Sequence, residues 1–347
     1  MTETQRSAGR AWGRLAVRLA GLVLAALVIW FVYRAIAPDL KQLTWAEIVD
    51  QQPETGLLIL SLAGLVATQF IHAFLWRRIA IDLGSPAPGP RETVHIYFVS
   101  SLGRYVPGKV WQIAGVATLA TRFGMAAGRA AAASVIAQII FLATGLLVLG
   151  LTLPGLSEFL VDGHVLTRIN PLWLSLGIFA AAAAAVWVLA ATPLGEVFRN
   201  ALIRIVGPTL GGRLGNSVAV AEAMTVRNGT IWAAGYTFSW ILLGTSFVLF
   251  VSAFSPVPAS LFVMTGGTIA AAYLVGFLAI GIPAGIGVRE FVMIGMLKTI
   301  GVEPSLAVLI SISSRLWFTA AELLPLLFIP LIPRSPTANG QPLTSQV

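Results

Sequence analysis

The chain has 347 residues, 57% hydrophobic and only 10% charged, with a net charge of +8; an average soluble domain is roughly 25% charged. Cysteine is absent, which excludes disulfides, thiolate metal sites and cysteine nucleophiles. The histidines (His72, His95 and His164) lie far apart and no two aspartates form a pair, which argues against a metal-dependent enzyme. The basic residues sit in short loops beside apolar runs, the positive-inside pattern of a membrane protein and not a nucleic-acid footprint.

The apolar stretches supply about six membrane spans at ~20 residues each, near 15–36, 56–76, 130–151, 172–191, 230–253 and 305–332. Arg6, Arg10, Arg14 and Arg18 lead into the first, which is too long for a cleavable signal and reads as an anchor with a cytoplasmic N-terminus. Residues 37–55, with Asp39, Glu47, Asp50 and Glu54, read as an outside loop, and Arg77, Arg78 and Arg91 put the next loop inside. Arg122 and Arg129 return the chain to the inside, so residues 94–121 must leave the cytoplasm and come back. That requires a re-entrant hairpin of two half-helices turning at Pro107-Gly108. Irregular backbone at such depth is tolerated only where protein or a watery cavity surrounds it.

An outside loop over 152–171 follows the third span, and residues 192–229, with Arg199, Arg204, Arg213 and Arg227, are cytoplasmic. Within them, 194–222 reads as an amphipathic connector whose apolar face (Leu194, Val197, Phe198, Ala201, Leu202 and Ile205) lies on the inner leaflet. Residues 261–300 can enter from outside, turn at Pro283–Gly287 and return, and the last span brings the tail inside. The expected fold is an all-α integral membrane protein of about six full spans plus two Pro/Gly-broken re-entrant helical hairpins. The hairpins have opposite orientation, which suggests an inverted repeat. Residues 1–332 form one polytopic membrane domain, with halves at about 15–151 and 172–332, and residues 333–347 a disordered tail. Trp76 and Trp232 near span ends read as interface anchors. Gly124-x3-Gly128 reads as a helix-packing motif.

Function is sought where ionised residues meet broken helices. Arg104, Lys109, Arg289, Glu290, Lys298, Arg315 and Glu322 all lie inside or beside the membrane. Each uncompensated charge at a helix centre costs roughly 2.5–3.5 kcal/mol even on the lenient insertion scale. Cations outnumber anions in this set, so an anionic guest is the natural complement. Lys109 and Arg289 fall in the first turns of half-helices, whose exposed N–H groups and positive dipole ends favour an anion. Arg104, Lys109, Arg289 and Arg315 are the candidate substrate-binding residues, with Glu290 and Glu322 as counter-ions or proton carriers. Pro107, Gly108, Pro283, Gly285 and Gly287 would supply close backbone approach and the hinges, and Lys298 would snorkel to an interface. His72 and His95 read as polar packing. Gly103-x4-Gly108-Lys109 matches the opening of a P-loop, but Val110 replaces the magnesium-binding Ser/Thr and no strand precedes it. No catalytic residue, metal ligand set or cofactor is expected.

The segment Arg104-x2-Pro107-Gly108-Lys109-x-Trp111, with Pro283-x-Gly285-x-Gly287-Val288-Arg289-Glu290 and Arg315, resembles the membrane domain of the lysylphosphatidylglycerol synthetase/flippase family. The resemblance covers roughly residues 10–332. It implies a polytopic bacterial or archaeal inner-membrane protein that moves a lipid between leaflets. In that family a separate C-terminal soluble domain carries aminoacyl transfer, and no such domain is expected here. The anticipated partner is an anionic lipid, either a phospholipid or a polyprenyl-phosphate-linked sugar, with a lipid-modifying enzyme as a further candidate. The alternatives are a membrane enzyme acting on a lipid phosphate and a non-transporting accessory subunit of a lipid or glycan pathway.

Overall fold

A computed structural model describes residues 52–105, 110–161, 225–278 and 287–329, with the side chains of 104, 105, 110 and 153–161 excepted. The spans expected near 15–36 and 172–191, the connector 194–222 and the tail 333–347 lie outside the described residues. So do the tips of both hairpins, 106–109 and 279–286.

The described residues are helical, with no strand among them. In chain order the helices are α1 (Thr55–Asp82), α2 (Pro90–Ser101), α3 (Val110–Thr121), α4 (Ala127–Val161), α5 (Val226–Ser252), α6 (Phe262–Leu278), α7 (Val288–Thr299) and α8 (Pro304–Phe328). Short 3-10 turns occupy Leu102–Tyr105 and Ala259–Leu261. Five segments are long and apolar enough to cross a membrane: α1, α4, α5, α8 and the stretch Ala259–Leu278 that contains α6.

Two short helices, α2 and α3, flank the tip of the first hairpin, which lies outside the described residues. α2 and α3 have 12 residues each, about 18 Å at 1.5 Å per residue, little more than half of a ~30 Å hydrocarbon core. Pro90 opens α2, where its missing N–H costs nothing. The second hairpin is lopsided. Its returning limb, α7, again has 12 residues, but the entering limb is 20 residues and of span length. The reason is composition: Phe262–Leu278 carries no charge or proline to interrupt it.

Other expectations are corrected. α4 does not stop near 151 but runs to Val161, because Pro154 does not end a helix already twenty-six residues long at Thr152. Gly124 is not a packing glycine. It has φ of 77° and nothing near its would-be Cβ, and it closes the turn after α3. Trp76 and Trp232, each 1% exposed, do not face the interface. The Trp76 indole N–H donates to Ser134 Oγ on α4 at 3.1 Å, and that of Trp232 donates to Asp82 at the end of α1 at 3.0 Å.

Helix packing relies on small residues, as it must where lipid is as apolar as leucine. Gly244 on α5 and Gly266 on α6 meet backbone to backbone, a Cβ on the first falling 3.3 Å from the carbonyl oxygen of the second. Gly64 of α1 makes room for Ser246 of α5. The Trp240 ring lies over Gly145 of α4 and stacks on Phe141, with centroids 4.3 Å apart and planes 6° from parallel. Its indole N–H donates to the Phe141 carbonyl at 2.8 Å. These contacts tie α1, α4, α5 and α6 into one block and set Phe141 as a rigid wall facing the two hairpins.

Candidate functional site

The site begins at the first turn of α7. Gly287 has φ of 88°, a left-handed conformation that side chains with a Cβ resist. The turn lets Glu290, three residues on, accept a hydrogen bond from the Gly287 N–H at 2.6 Å, closing one orphan donor of the helix end. The same carboxylate oxygen, Oε2, accepts from Arg315 Nη2 at 2.7 Å. Glu290 is 8% exposed, and its second oxygen, Oε1, is buried with no partner among the described residues.

Arg289 points the other way. Its Nη2 donates to Ser314 Oγ at 3.2 Å, and that hydroxyl in turn donates to the Ser311 carbonyl at 2.7 Å. The guanidinium carbon lies 4.3 Å from the centroid of the Phe318 ring, within cation–π range. Its Nε is buried with no partner among the described residues. The backbone here is close to α6: a Cβ on Gly276 would come within 3.2 Å of Arg289 Cβ. Gly115 plays the same part in the first hairpin, against Ser100 of α2.

Arg289 and Arg315 line a cavity of about 300 Å³ that also receives Glu322, 2% exposed. The cavity lies deep in the bundle. Arg315 stands eleven residues beyond Pro304, about 17 Å along α8 at 1.5 Å per residue, near the middle of that span. α3 reaches the same cavity with its first turn, through Gln112 and Ile113, as α7 does with Arg289. The N-terminal turns of both half-helices therefore meet one space, and their dipoles add there.

Beside the charges is a neutral polar wall. His72, Gln69, Gln138, Tyr236 and Tyr273 line the cavity. His72 Nε2 lies 2.9 Å from Ser239 Oγ. The Ser239 hydroxyl also donates to the Tyr236 carbonyl at 2.7 Å. The His72 ring meets Phe141 edge-on at 4.8 Å, and Tyr273 meets the same phenyl at 5.2 Å.

Arg289, Glu290, Arg315 and Glu322, anticipated from sequence, are thus brought together. Arg315 pairs with Glu290 from the neighbouring helix. Arg104 contributes its backbone to the 3-10 turn before α3, and Lys109 directly precedes α3 but lies outside the described residues, as do Pro107, Gly108, Pro283 and Gly285. Lys298 is exposed and His95 packs edge-on to Phe123 at 6.0 Å. The balance of charge differs from the sequence tally: Arg289 and Arg315 are formally matched by Glu290 and Glu322. Sequence reading missed Ser314, Phe318 and the neutral wall. One signal was there, since Ser311, Ser314, Arg315, Phe318 and Glu322 recur at helical spacing as a stripe on α8.

A comparison with known families decides the kinship. Residues 18–321 match the family described as the lysylphosphatidylglycerol synthase TM region. The chain belongs to that family. The match spans both hairpins and runs into α8, ending at residue 321 beside Glu322. No curated protein matches the chain. The multi-pass membrane character of the family agrees with the five span-length segments found here.

Proposed function

We propose that this protein holds the phosphate of an anionic lipid headgroup in the cavity between its two hairpins and moves that lipid between leaflets of a cytoplasmic membrane. One observation carries the reading: two guanidinium groups and the first turns of two half-helices converge on a space in mid-bundle. Family membership supports it by linking the chain to membrane-lipid chemistry.

Glu290 serves as the resident anion of the site, capping α7 and neutralising Arg315. An arriving phosphate finds Arg289 Nε without a partner among the described residues, and competes with Glu290 for Arg315. A planar guanidinium suits phosphate oxygens better than an ammonium does, because its N–H groups form a fixed fork. The four charges cancel before the lipid arrives. Admitting one more anion therefore calls for a further positive charge, for which Arg104 and Lys109 are the candidates by sequence. Movement of lipid in this scheme involves no bond breaking.

The test is leaflet exchange in vesicles containing the purified protein and labelled anionic lipids. Arg289→Ala and Arg315→Ala should each slow exchange at least tenfold, a rise of about 1.4 kcal/mol in the barrier. Exchange at the wild-type rate in both variants would remove the cavity from the mechanism. Consumption or modification of the lipid by the pure protein would replace transport with enzymatic chemistry.

A further inference from the structure

Resting on the phosphate site just proposed, we infer that the lipid's headgroup carries an uncharged, hydroxyl-rich group beyond its phosphate, held by Gln69, Gln138 and His72 against the Phe141 wall. The argument starts from the distance between the two parts of the cavity. Gly276, which packs on Arg289, and Tyr273, which packs on Phe141, are three residues apart on α6. That is about 5 Å of helix, the reach of one sugar ring or one glycerol from a phosphate. The cationic and neutral regions are thus spaced for a single headgroup.

The chemistry of the neutral region is the second observation. Gln69 and Gln138 present amides, which both donate and accept. His72 lies beside them on the cavity wall, its Nε2 in hydrogen-bond contact with Ser239. Gln69 is 6% exposed, and the Gln138 Nε2 is buried with no partner among the described residues. An orphaned amide N–H in a protein interior is costly, and a ligand hydroxyl is the complementary group, since it can accept from the Gln138 amide and donate to another acceptor. An amine would be poorly served there. A cation needs carboxylates, and of the lining residues only Glu322 is acidic, beside two arginines. Phe141, locked flat under Trp240, adds an apolar edge to the lining of the cavity. A site built to hydrogen-bond hydroxyls rejects analogues that lack them far more strongly than an apolar pocket rejects a wrong shape.

The experiment compares lipids in vesicles of otherwise identical composition: phosphatidic acid, phosphatidylserine, lysyl-phosphatidylglycerol, phosphatidylglycerol, phosphatidylinositol and a polyprenyl-phosphate hexose. Wild-type protein should exchange at least one of the last three about tenfold faster than any of the first three. Whichever exchanges fastest tells glycerol from sugar. Gln69→Met and Gln138→Met, which keep length and volume, should each lower the ratio of that lipid to phosphatidic acid about fivefold to tenfold, as expected for one lost hydrogen bond. If either variant fails to fold, wild-type selectivity decides alone. Equal exchange of all anionic lipids, or preference for phosphatidic acid or the lysyl lipid, would overturn this inference while leaving the phosphate site standing. No exchange of any lipid would overturn both.

Discussion

The Arg315–Glu290 pair can be tested as a coupling free energy. At 2.7 Å the gross attraction is about 6 kcal/mol with an effective dielectric constant of 20. Desolvation of both groups opposes it, and Arg315, 33% exposed to the cavity, keeps part of its solvation. A net coupling of about 2 kcal/mol is left. Glu290→Gln loses this attraction and also weakens the hydrogen bond from the Gly287 N–H, since a neutral acceptor is worth roughly 1 kcal/mol less than a charged one. The single variant should therefore lose about 3 kcal/mol and Arg315→Gln about 2 kcal/mol. The double variant should lose about 3 kcal/mol, less than the sum because the pair is counted once. Reversible unfolding in mixed micelles of rising dodecyl sulfate content, followed by tryptophan fluorescence, measures all four corners. Additivity within about 0.5 kcal/mol would refute the claim that these two side chains hold α7 and α8 together at the site.

The remaining predictions concern the backbone. Gly103→Ala places a Cβ 2.8 Å from the Gln112 nitrogen and the Trp111 carbonyl carbon; rigid backbone cannot yield, and a loss of about 1–3 kcal/mol is expected in the same assay. Gly229→Ala in α5 meets nothing within 4 Å and should instead stabilise by about 0.5–1 kcal/mol. Gly276→Val pushes on Arg289 Cβ, 3.2 Å from an ideal Cβ at 276, and should abolish phosphate-lipid exchange while the protein still folds. Glu303 caps α8 by accepting from the Leu306 N–H at 3.0 Å, and the Ser305 hydroxyl, more than any other group, holds its carboxyl below the usual range. A depressed folded pKa gives stability that is full above the ordinary carboxylate range and lost as pH falls through the folded value. The difference between wild type and Glu303→Gln should thus shrink toward zero on acidification, and a constant difference would refute the cap.

What could be read in the sequence was what local periodicity and breakers encode. Pro107-Gly108 and the run Pro283–Gly287 mark interruptions that a membrane protein tolerates only around a cavity, and Arg289, Glu290 and Arg315 stand out because lipid excludes charge. What could not be read was which faces meet. Glu290 and Arg315 are 25 residues apart, and nothing local says that the carboxylate turns to α8 and not to its neighbour Arg289. Trp76 and Trp232 misled for the same reason. A tryptophan near a span end has two ways to satisfy its N–H, the interface or a partner helix, and here Ser134 and Asp82 came from elsewhere in the chain. The glutamines were invisible because an amide in an apolar run looks alike whether it packs or binds.

The seam at Gly244 and Gly266 has a consequence for how motion in this protein can be seen. Alternative packings arise when side chains trade partners across an interface, and at Gly244 and Gly266 the two backbones meet with no side chain between them. α5 and α6 should move as one. Because the sequence has no cysteine, thiols introduced at exposed positions would carry the only labels. Spin labels at Ile241 and Val263, 57% and 66% exposed, should report one narrow distance with or without lipid. A second pair, Ile241 with Phe291 on α7, should broaden or split as lipid is added. The glycine seam then acts as the fixed ruler of the molecule, the frame in which the travel of the second hairpin is read.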